Sequence, residues 1–211
     1  KIFNLINKYA TDVTIKQDGS VIAIVGTGSR TVLFDAHLDE VGFYVSEITK
    51  EKLTVCPIGK INGTTVDRSE CYIVGKGIKG VLFQENCNFS FQPNLQETRN
   101  LVGKGDILSF SRHFEVKDTI IKATALDDRV GCTCLIALLK NFDQELLDQY
   151  RFVFSFSSKE EQNGANLGKI ALENDVDFGI VVDAAYAKPI EFNTKGMTIP
   201  ELGKGCAVQY L

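Results

Sequence analysis

Three short apolar segments of this chain each run directly into acidic or imidazole side chains, and this repetition strongly constrains the fold. The segments cover residues 31–34, 151–157 and 178–182, lengths typical of buried β-strands. Apolar stretches of helical length and period lie between them, at residues 135–139 and 167–172. Strands that alternate with helices predict an α/β fold with a mostly parallel sheet.

The side chains that follow these strands are candidate ligands. Open α/β sheets bind ligands in the crevice beyond the carboxyl ends of their strands, so groups at those ends are expected to meet. A further carboxylate, Asp127, lies where a predicted helix begins. The strand-end candidates are His37 and Asp39 after the first strand, Glu160 and Glu161 after the second, and Asp183 after the third.

The central part of the chain, residues 46–117, has a different pattern. Short β-prone runs alternate there with Gly-rich or polar turns, without a long helical pattern. This predicts a small β-barrel or sandwich inserted into a discontinuous α/β domain, residues 1–45 and 118–211. Within the insertion, the Asn- and Gln-rich residues 86–100 are expected to form an exposed loop.

The candidate ligands suit a pair of divalent metal ions. Zn²⁺ and similar ions bind imidazole nitrogen and carboxylate oxygen, and a pair of ions needs a bridging carboxylate. Two ions about 3.5–4 Å apart together activate one water and polarise a carbonyl, which is hydrolytic chemistry. In the Glu160-Glu161 pair, one glutamate can bind metal while its neighbour takes the proton from that water. Asp39, two residues after His37, can orient the imidazole.

Each feature also has a simpler structural explanation. A His-x-Asp pair is common in surface turns, Asp127-Asp128 can cap a helix, and a glutamate pair can lie in a solvated loop. Asp183 is different, because a carboxylate that ends an apolar strand is expected to be buried and then needs a partner. The joint occurrence of these groups at strand ends favours a metal site.

Composition and charge exclude several classes of function. A net charge of −4, from 23 Lys and Arg against 27 Asp and Glu, offers no basic patch for nucleic acid. The longest apolar runs are far too short to cross a bilayer, so no membrane role is expected. The six cysteines lack the spacing of a secreted disulfide framework, so we expect reduced thiols and a cytoplasmic location.

Several segments resemble the signatures of a known family. Residues 36–43 (AHLDEVGF) and 125–132 (ALDDRVGC) are similar to two signatures of the tetrahedral (TET) metallo-aminopeptidases, metallopeptidase family M forty-two. Glu160-Glu161 and Val182-Asp183 resemble a third and a fourth, and residues 202–205 (LGKG) resemble a later stretch. The matches follow the family's order across nearly the whole chain. Members are labelled glutamyl or deblocking aminopeptidase, and some endoglucanase.

The resemblance implies a fold and an activity. The fold is a three-layer α/β/α catalytic domain with a mostly parallel sheet, interrupted by a β-barrel insertion of the dimerisation type. The activity is removal of N-terminal residues from peptides, with two Zn²⁺ or Co²⁺ ions. The implied assembly is a homo-oligomer, such as a dodecamer.

The resemblance also assigns roles to individual residues. Asp127 would bridge the two ions, and Glu161 would bind the second. Glu160 would be the general base, and Asp39 would support the imidazole from behind. The implied ligands of the first ion are His37, Asp127 and Asp183.

The sequence departs from the family's pattern at two places. The family's second ion needs a further histidine near the C-terminus, whereas this chain contains only His37 and His113, and His113 is expected on the surface. Residues 162–166 (QNGAN) replace the usual continuation after the glutamate pair. The chain, which begins with Lys1, is expected to be truncated at both ends.

Two other functions stay open at this point. The missing histidine motivates a non-catalytic relative that keeps the fold and part of the metal site and acts as an assembly or binding subunit. A third interpretation keeps the two-metal chemistry but changes the substrate to an acylated small molecule or a glycan. A glycosidase would ordinarily need a carboxylic-acid pair that flanks a sugar, without metals.

Overall fold

The computed structural model describes residues 1–162, 164–187 and 199–208, in which a mixed sheet with flanking helices adjoins a closed β-barrel. The elements around the sheet are α1 (Ile2–Ile6), β1 (Asp12–Ile15), β2 (Val21–Val25), β3 (Arg30–His37), α3 (Leu126–Lys140), α4 (Gln144–Gln149), β12 (Tyr150–Ser157), α5 (Ala165–Glu173) and β13 (Phe178–Val181). The elements between β3 and α3 are β4 (Gly42–Ile48), β5 (Leu53–Ile58), α2 (Gly63–Val66), β6 (Glu70–Ile73), β7 (Lys79–Glu85), β8 (Asn88–Pro93), a 3-10 helix (Gln96–Leu101), β9 (Ile107–Phe110), β10 (Phe114–Lys117) and β11 (Ile120–Ala123).

The sheet contains five strands in the order β1-β2-β12-β3-β13. β3 pairs in parallel with both β12 and β13, so the three strands that precede the candidate ligands point the same way. β2 pairs antiparallel with β12, and β1 pairs antiparallel with β2. A tight turn through Gly19 joins β1 and β2 as a hairpin. The parallel part of the sheet therefore brings the three strand ends to one edge.

Helices cover both faces of this sheet. Side chains of a strand point alternately to opposite faces, so neighbours in sequence pack in different layers. On one face, Phe34 and Phe154 stack with ring centroids 5.3 Å apart and pack in one cluster with Leu135 of α3. On the other face, Val153 packs in a cluster with Ile170 of α5. These two cores confirm the predicted three-layer α/β/α arrangement.

The inserted segment forms a closed barrel with the strand order β4-β5-β8-β7-β6-β9, and pairing of β4 with β9 closes it. Its interior is filled by fully buried apolar side chains, among them Phe43, Leu53 and Leu82. The β-barrel prediction is confirmed. The strands of the barrel lie between Gly42 and Phe110, and the division of the chain at residues 45 and 117 stays a prediction.

Two local predictions are wrong. Residues 88–93, expected within an exposed loop, form β8, and Phe89 and Phe91 point into the barrel because they alternate with polar residues at the period of a strand. β13, expected to be buried, is the last strand on one side of the sheet that the described residues form, and all four of its residues are exposed there. Its apolar composition indicated a strand correctly but did not indicate its position in the sheet.

A β-hairpin of β10 and β11 leads from the barrel to α3. This hairpin was not predicted from the sequence. His113, just before it, is 62% exposed at its side chain, as expected. No helix among the described residues is long and apolar enough to cross a membrane.

Candidate metal centre

The candidate ligands lie beyond the carboxyl ends of the three parallel strands, β3, β12 and β13. Residue 37 at the end of β3 is paired in register with Ser157 at the end of β12, so the loops after both strands begin side by side. β13 ends two residues before Asp183, and Val182 donates a backbone hydrogen bond to Asp35 of β3. Asp127 approaches the same edge from the start of α3.

The buried imidazole of His37 is at the centre of this group and is 3% exposed. Its Nε2 lies 3.0 Å from Oδ1 of Asp127, 3.9 Å from Oδ1 of Asp183 and 4.0 Å from Oε2 of Glu160. The possible ligand atoms of the described residues form two sets, and within each set all the atoms lie within 4.8 Å of one another. The sets are His37 with Asp127 and Asp183, and His37 with Glu160 and Glu161.

The other side of the imidazole faces Asp39. His37 Nδ1 lies 3.2 Å from the backbone oxygen of Asp39 and 3.6 Å from its Oδ1. The Asp39 carboxylate also accepts hydrogen bonds from the backbone N–H groups of Glu160 and Glu161, at 3.1 and 3.3 Å. Asp39 therefore contacts the histidine and holds the loop that carries both glutamates, and the second of these roles was not predicted.

The two aspartates at the start of α3 have different surroundings. Both lie outside helical backbone geometry, and the peptide bond between them is cis. Asp128 is fully buried, and its Oδ1 accepts a hydrogen bond from the backbone N–H of Gly131, as a helix-capping residue does. Asp127 is instead 62% exposed at its side chain and faces His37. The capping interpretation therefore describes Asp128, and Asp127 stays a candidate ligand.

The charges of the centre influence one another strongly. Burial lowers the pKa of His37, but hydrogen bonds with Asp39 and Asp127 and the nearby carboxylate charges outweigh it and raise that pKa to about 10. Burial and the charge of Asp127 raise the pKa of Glu161. Burial also raises the pKa of Asp128, to about 6. So dense a group of carboxylates around one imidazole is suited to bind cations.

Asp183 does not have the environment expected from the sequence. Its side chain is 45% exposed, so it does not need a buried partner. The buried strand carboxylate is Asp35, which sequence reasoning missed and which is 2% exposed. Its Oδ2 accepts a hydrogen bond from Ser157, while Oδ1 has no hydrogen-bond partner among the described residues. The sequence does contain a signal for Asp35. It is an acidic residue at the end of an apolar run, two residues before His37.

The donor set fits divalent metal ions. One imidazole nitrogen and several carboxylate oxygens are the ligands that Zn²⁺, Co²⁺ and related ions accept. A pocket of about 90 Å³ adjoins the centre and is lined by His37, Glu160, Asp183 and parts of β12 and α5. The six residues predicted from the sequence are therefore brought together at one site, and their individual roles stay predictions.

A sheet edge that gathers an imidazole and several carboxylates is typical of metal-dependent hydrolases. The comparisons identify the group more closely. The chain belongs to the family of M42 glutamyl aminopeptidases, whose family model matches residues 19–93 and 91–211.

Individual relatives agree with this assignment. A lysyl aminopeptidase from Pyrococcus furiosus is 26% identical and aligns with 97% of this chain and 64% of its own length. A TET aminopeptidase from a marine sediment archaeon of the Thaumarchaeota has the same fold, with a TM-score of 0.86 at 22% identity over 96% of this chain and 64% of that one. The TET1 peptidase of Pyrococcus horikoshii, which assembles into a tetrahedron or an octahedral shell, has a TM-score of 0.75 at 25% identity over 86% and 61% of the two chains. This chain thus spans less than two thirds of the length of these relatives, between 61% and 64%.

Proposed function

We propose that this chain carries a two-metal aminopeptidase site that hydrolyses the N-terminal residue from peptides. The observation that carries the proposal is the approach of three carboxylates within 4.0 Å of Nε2 of His37, in a member of an aminopeptidase family. The implied ions are Zn²⁺ or Co²⁺, because the same donor set accepts either.

The ligand groups divide into two sets. His37, Asp127 and Asp183 would hold one ion, with the Asp127 carboxylate shared with a second ion that Glu161 also binds. When bound, the ions would lower the pKa of a water and polarise the scissile carbonyl. Asp127 suits a bridging position because its side chain is 62% exposed and already faces the imidazole.

Glu160 would act as the general base. Its carboxylate lies at the centre and is 44% exposed, so a water can reach it. Its backbone N–H is fixed by the Asp39 carboxylate at 3.1 Å, which limits the positions that the side chain can take. Glu160 would accept the proton of the attacking water at a carboxylate oxygen and then deliver it to the amine that leaves.

Peptides are the proposed substrates, although a structure from Thermotoga maritima that is 26% identical to this chain is described as an endoglucanase. Glycoside hydrolysis ordinarily uses two carboxylic acids on either side of the scissile bond and no metal. Here the carboxylates converge on one imidazole instead. We also propose self-assembly into a homo-oligomer, since the TET1 peptidase of P. horikoshii forms closed shells, and a cytoplasmic location.

Metal analysis combined with Glu160→Gln tests the function. The wild-type chain should hold about two ions and hydrolyse aminoacyl p-nitroanilides. Glu160→Gln should keep its metal and lose roughly 10²–10⁴-fold in turnover, because the amide cannot accept the proton. Glu51→Gln, at an exposed barrel position, is the matched control and should behave as wild type.

Two outcomes would contradict the proposal. Unchanged turnover in Glu160→Gln would remove Glu160 as the base. One ion or none per chain, with no hydrolysis, would favour a non-catalytic relative that keeps only the fold.

A further inference from the structure

Glu40 is not a candidate ligand, yet its carboxylate accepts three hydrogen bonds beside the metal centre. Its side chain is 20% exposed and lies in the loop between β3 and β4, one residue after Asp39. Arg112 donates two hydrogen bonds to it, from Nη1 to Oε2 at 2.6 Å and from Nη2 to Oε1 at 2.7 Å. Ser109 donates a third from its hydroxyl to Oε1, at 2.8 Å. Bidentate, charge-assisted pairs of this kind are among the stronger polar contacts in proteins.

A second arginine connects the same carboxylate to α3. Arg129 Nη2 lies 3.6 Å from Oε2 of Glu40, and Arg129 directly follows the Asp127-Asp128 pair. Ser109 belongs to β9, the last strand of the barrel, and Arg112 follows two residues after that strand. One carboxylate therefore joins three segments: the loop after β3, the exit of the barrel and the start of α3.

Two of these segments carry the centre. The loop after β3 contains Asp39, which holds the backbone N–H groups of Glu160 and Glu161. The start of α3 contains Asp127, whose Oδ1 lies 3.0 Å from His37. The relative position of the two segments thus sets the spacing between ligands that come from distant parts of the sequence.

We propose that Glu40 is a positioning residue of the metal centre, which ties the loop of Asp39 to the start of α3 through Arg112, Ser109 and Arg129. This inference rests on the proposed function, because it assigns the contact a role in metal binding. Glu40 itself belongs to neither set of candidate ligands. Without its negative charge, the two arginines lose their shared partner and the two segments move independently.

Loss of this contact is expected to lower the affinity for metal clearly and the stability of the fold only slightly. Partners that orient metal ligands from behind typically change metal affinity or activity by about 10–100-fold when they are removed. A contact that served only to attach the barrel to the sheet would instead change stability and leave metal binding as it was. These two expectations separate a positioning role from a purely structural one.

The test compares Glu40→Gln with Glu85→Gln. Glu85 pairs with Lys52 at 3.2 Å on the barrel surface, so its variant removes an ion pair by the same chemical change away from the centre. Each chain, freed of metal, is titrated with Co²⁺ and followed by visible absorption, which reports the ligands of the ion. Hydrogen exchange of the Glu160 and Glu161 amides in the metal-free chains measures whether Asp39 still holds them.

We expect Glu40→Gln to bind Co²⁺ about 10–100-fold more weakly, with an altered absorption spectrum and faster exchange of both amides. Glu85→Gln should match wild type in Co²⁺ affinity, in absorption spectrum and in the exchange of both amides. Wild-type Co²⁺ affinity and spectrum in a folded Glu40→Gln variant would overturn the inference, whether or not its stability changes.

A second variant serves if Glu40→Gln does not fold. Arg112→Lys keeps the positive charge but cannot bond both carboxylate oxygens at once, and Arg112 is about half exposed, so the fold should tolerate it. It should show a smaller loss of Co²⁺ affinity in the same direction, and an unchanged affinity would overturn the inference. A wild-type chain that binds no Co²⁺ would contradict the proposed function itself, and the role of Glu40 with it.

Discussion

His37 Nε2 lies 3.0 Å from Oδ1 of Asp127, although 90 positions separate the two residues in the chain. All six barrel strands lie between them, so the barrel must leave and rejoin the sheet domain at the same edge. The loop that enters the barrel carries Asp39, and the chain that leaves it leads through β10 and β11 to Asp127. The segments that enter and leave the insertion therefore both lead to the candidate centre.

The start of α3 depends on the absence of a side chain at position 131. A Cβ at Gly131 would overlap Oδ1 of Asp128, the atom that accepts its backbone hydrogen bond. Gly131→Ala should therefore displace the buried carboxylate and lower the free energy of unfolding by about 1–3 kcal/mol, measured in urea. Gly168→Ala in α5, where a Cβ would meet nothing within 4 Å, is the control and should be neutral or stabilising by up to about 1 kcal/mol. Equal losses in both variants would show that the contact with Asp128 is unimportant.

Gly59 lies against the second ligand set. It has a φ of +83°, and a Cβ there would lie 2.9 Å from Val41 Cγ1 and 3.1 Å from Glu161 Oε2. Gly75 has a similar φ of +78° but open space around it. Alanine at either position should cost about 1–2 kcal/mol of stability from backbone strain. Gly59→Ala alone should also weaken metal binding, measured by Co²⁺ titration, because the methyl group displaces Glu161.

Asp106 gives the barrel a pH dependence that can be worked out from its contacts. Hydrogen bonds from the Gly103 backbone and from Lys76 Nζ, at 2.8 and 2.6 Å, lower the pKa of Asp106. A lowered pKa in the folded state stabilises the fold above the unfolded pKa near 3.9, and this contribution disappears as the pH falls through the folded value. Asp106→Asn should therefore be less stable than wild type by about 1 kcal/mol at pH 7. The difference should shrink below about pH 4 in urea unfolding, and a constant difference would contradict the assignment.

The strands that carry the candidate ligands and the position of the centre could be predicted because both follow from local patterns. Apolar runs of strand length indicated β3 and β12, and polar residues directly after them indicated the functional edge. The β8 strand was missed because its Asn and Gln content was weighted above the alternation of Phe89 and Phe91. The exposure of β13 among the described residues depends on its place as the outermost strand there, which a local pattern does not contain.

Contacts between distant residues could not be predicted in the same way. The bond from Glu160 to Asp39 joins residues 121 positions apart, and the bond from Arg112 to Glu40 joins residues 72 apart. Both use common polar side chains that have many possible partners on a folded surface. The different surroundings of Asp127 and Asp128 likewise depend on backbone geometry that two identical residues cannot reveal.

Removal of metal should lower the stability of the wild-type chain more than that of a variant that lacks one ligand. An ion that binds only the folded state raises the free energy of unfolding by about 2.7 kcal/mol at a free concentration of one hundred times Kd, so a chelator should lower Tm by several degrees. Asp183→Asn should reduce this shift, because the amide is a poor replacement for a charged ligand of the first ion, while Glu161 and Asp127 can still bind the second. Its metal-free Tm should stay near that of wild type, since Asp183 is 45% exposed. His113→Ala, which removes the exposed histidine, should keep the full shift. A full shift in Asp183→Asn would exclude Asp183 as a ligand.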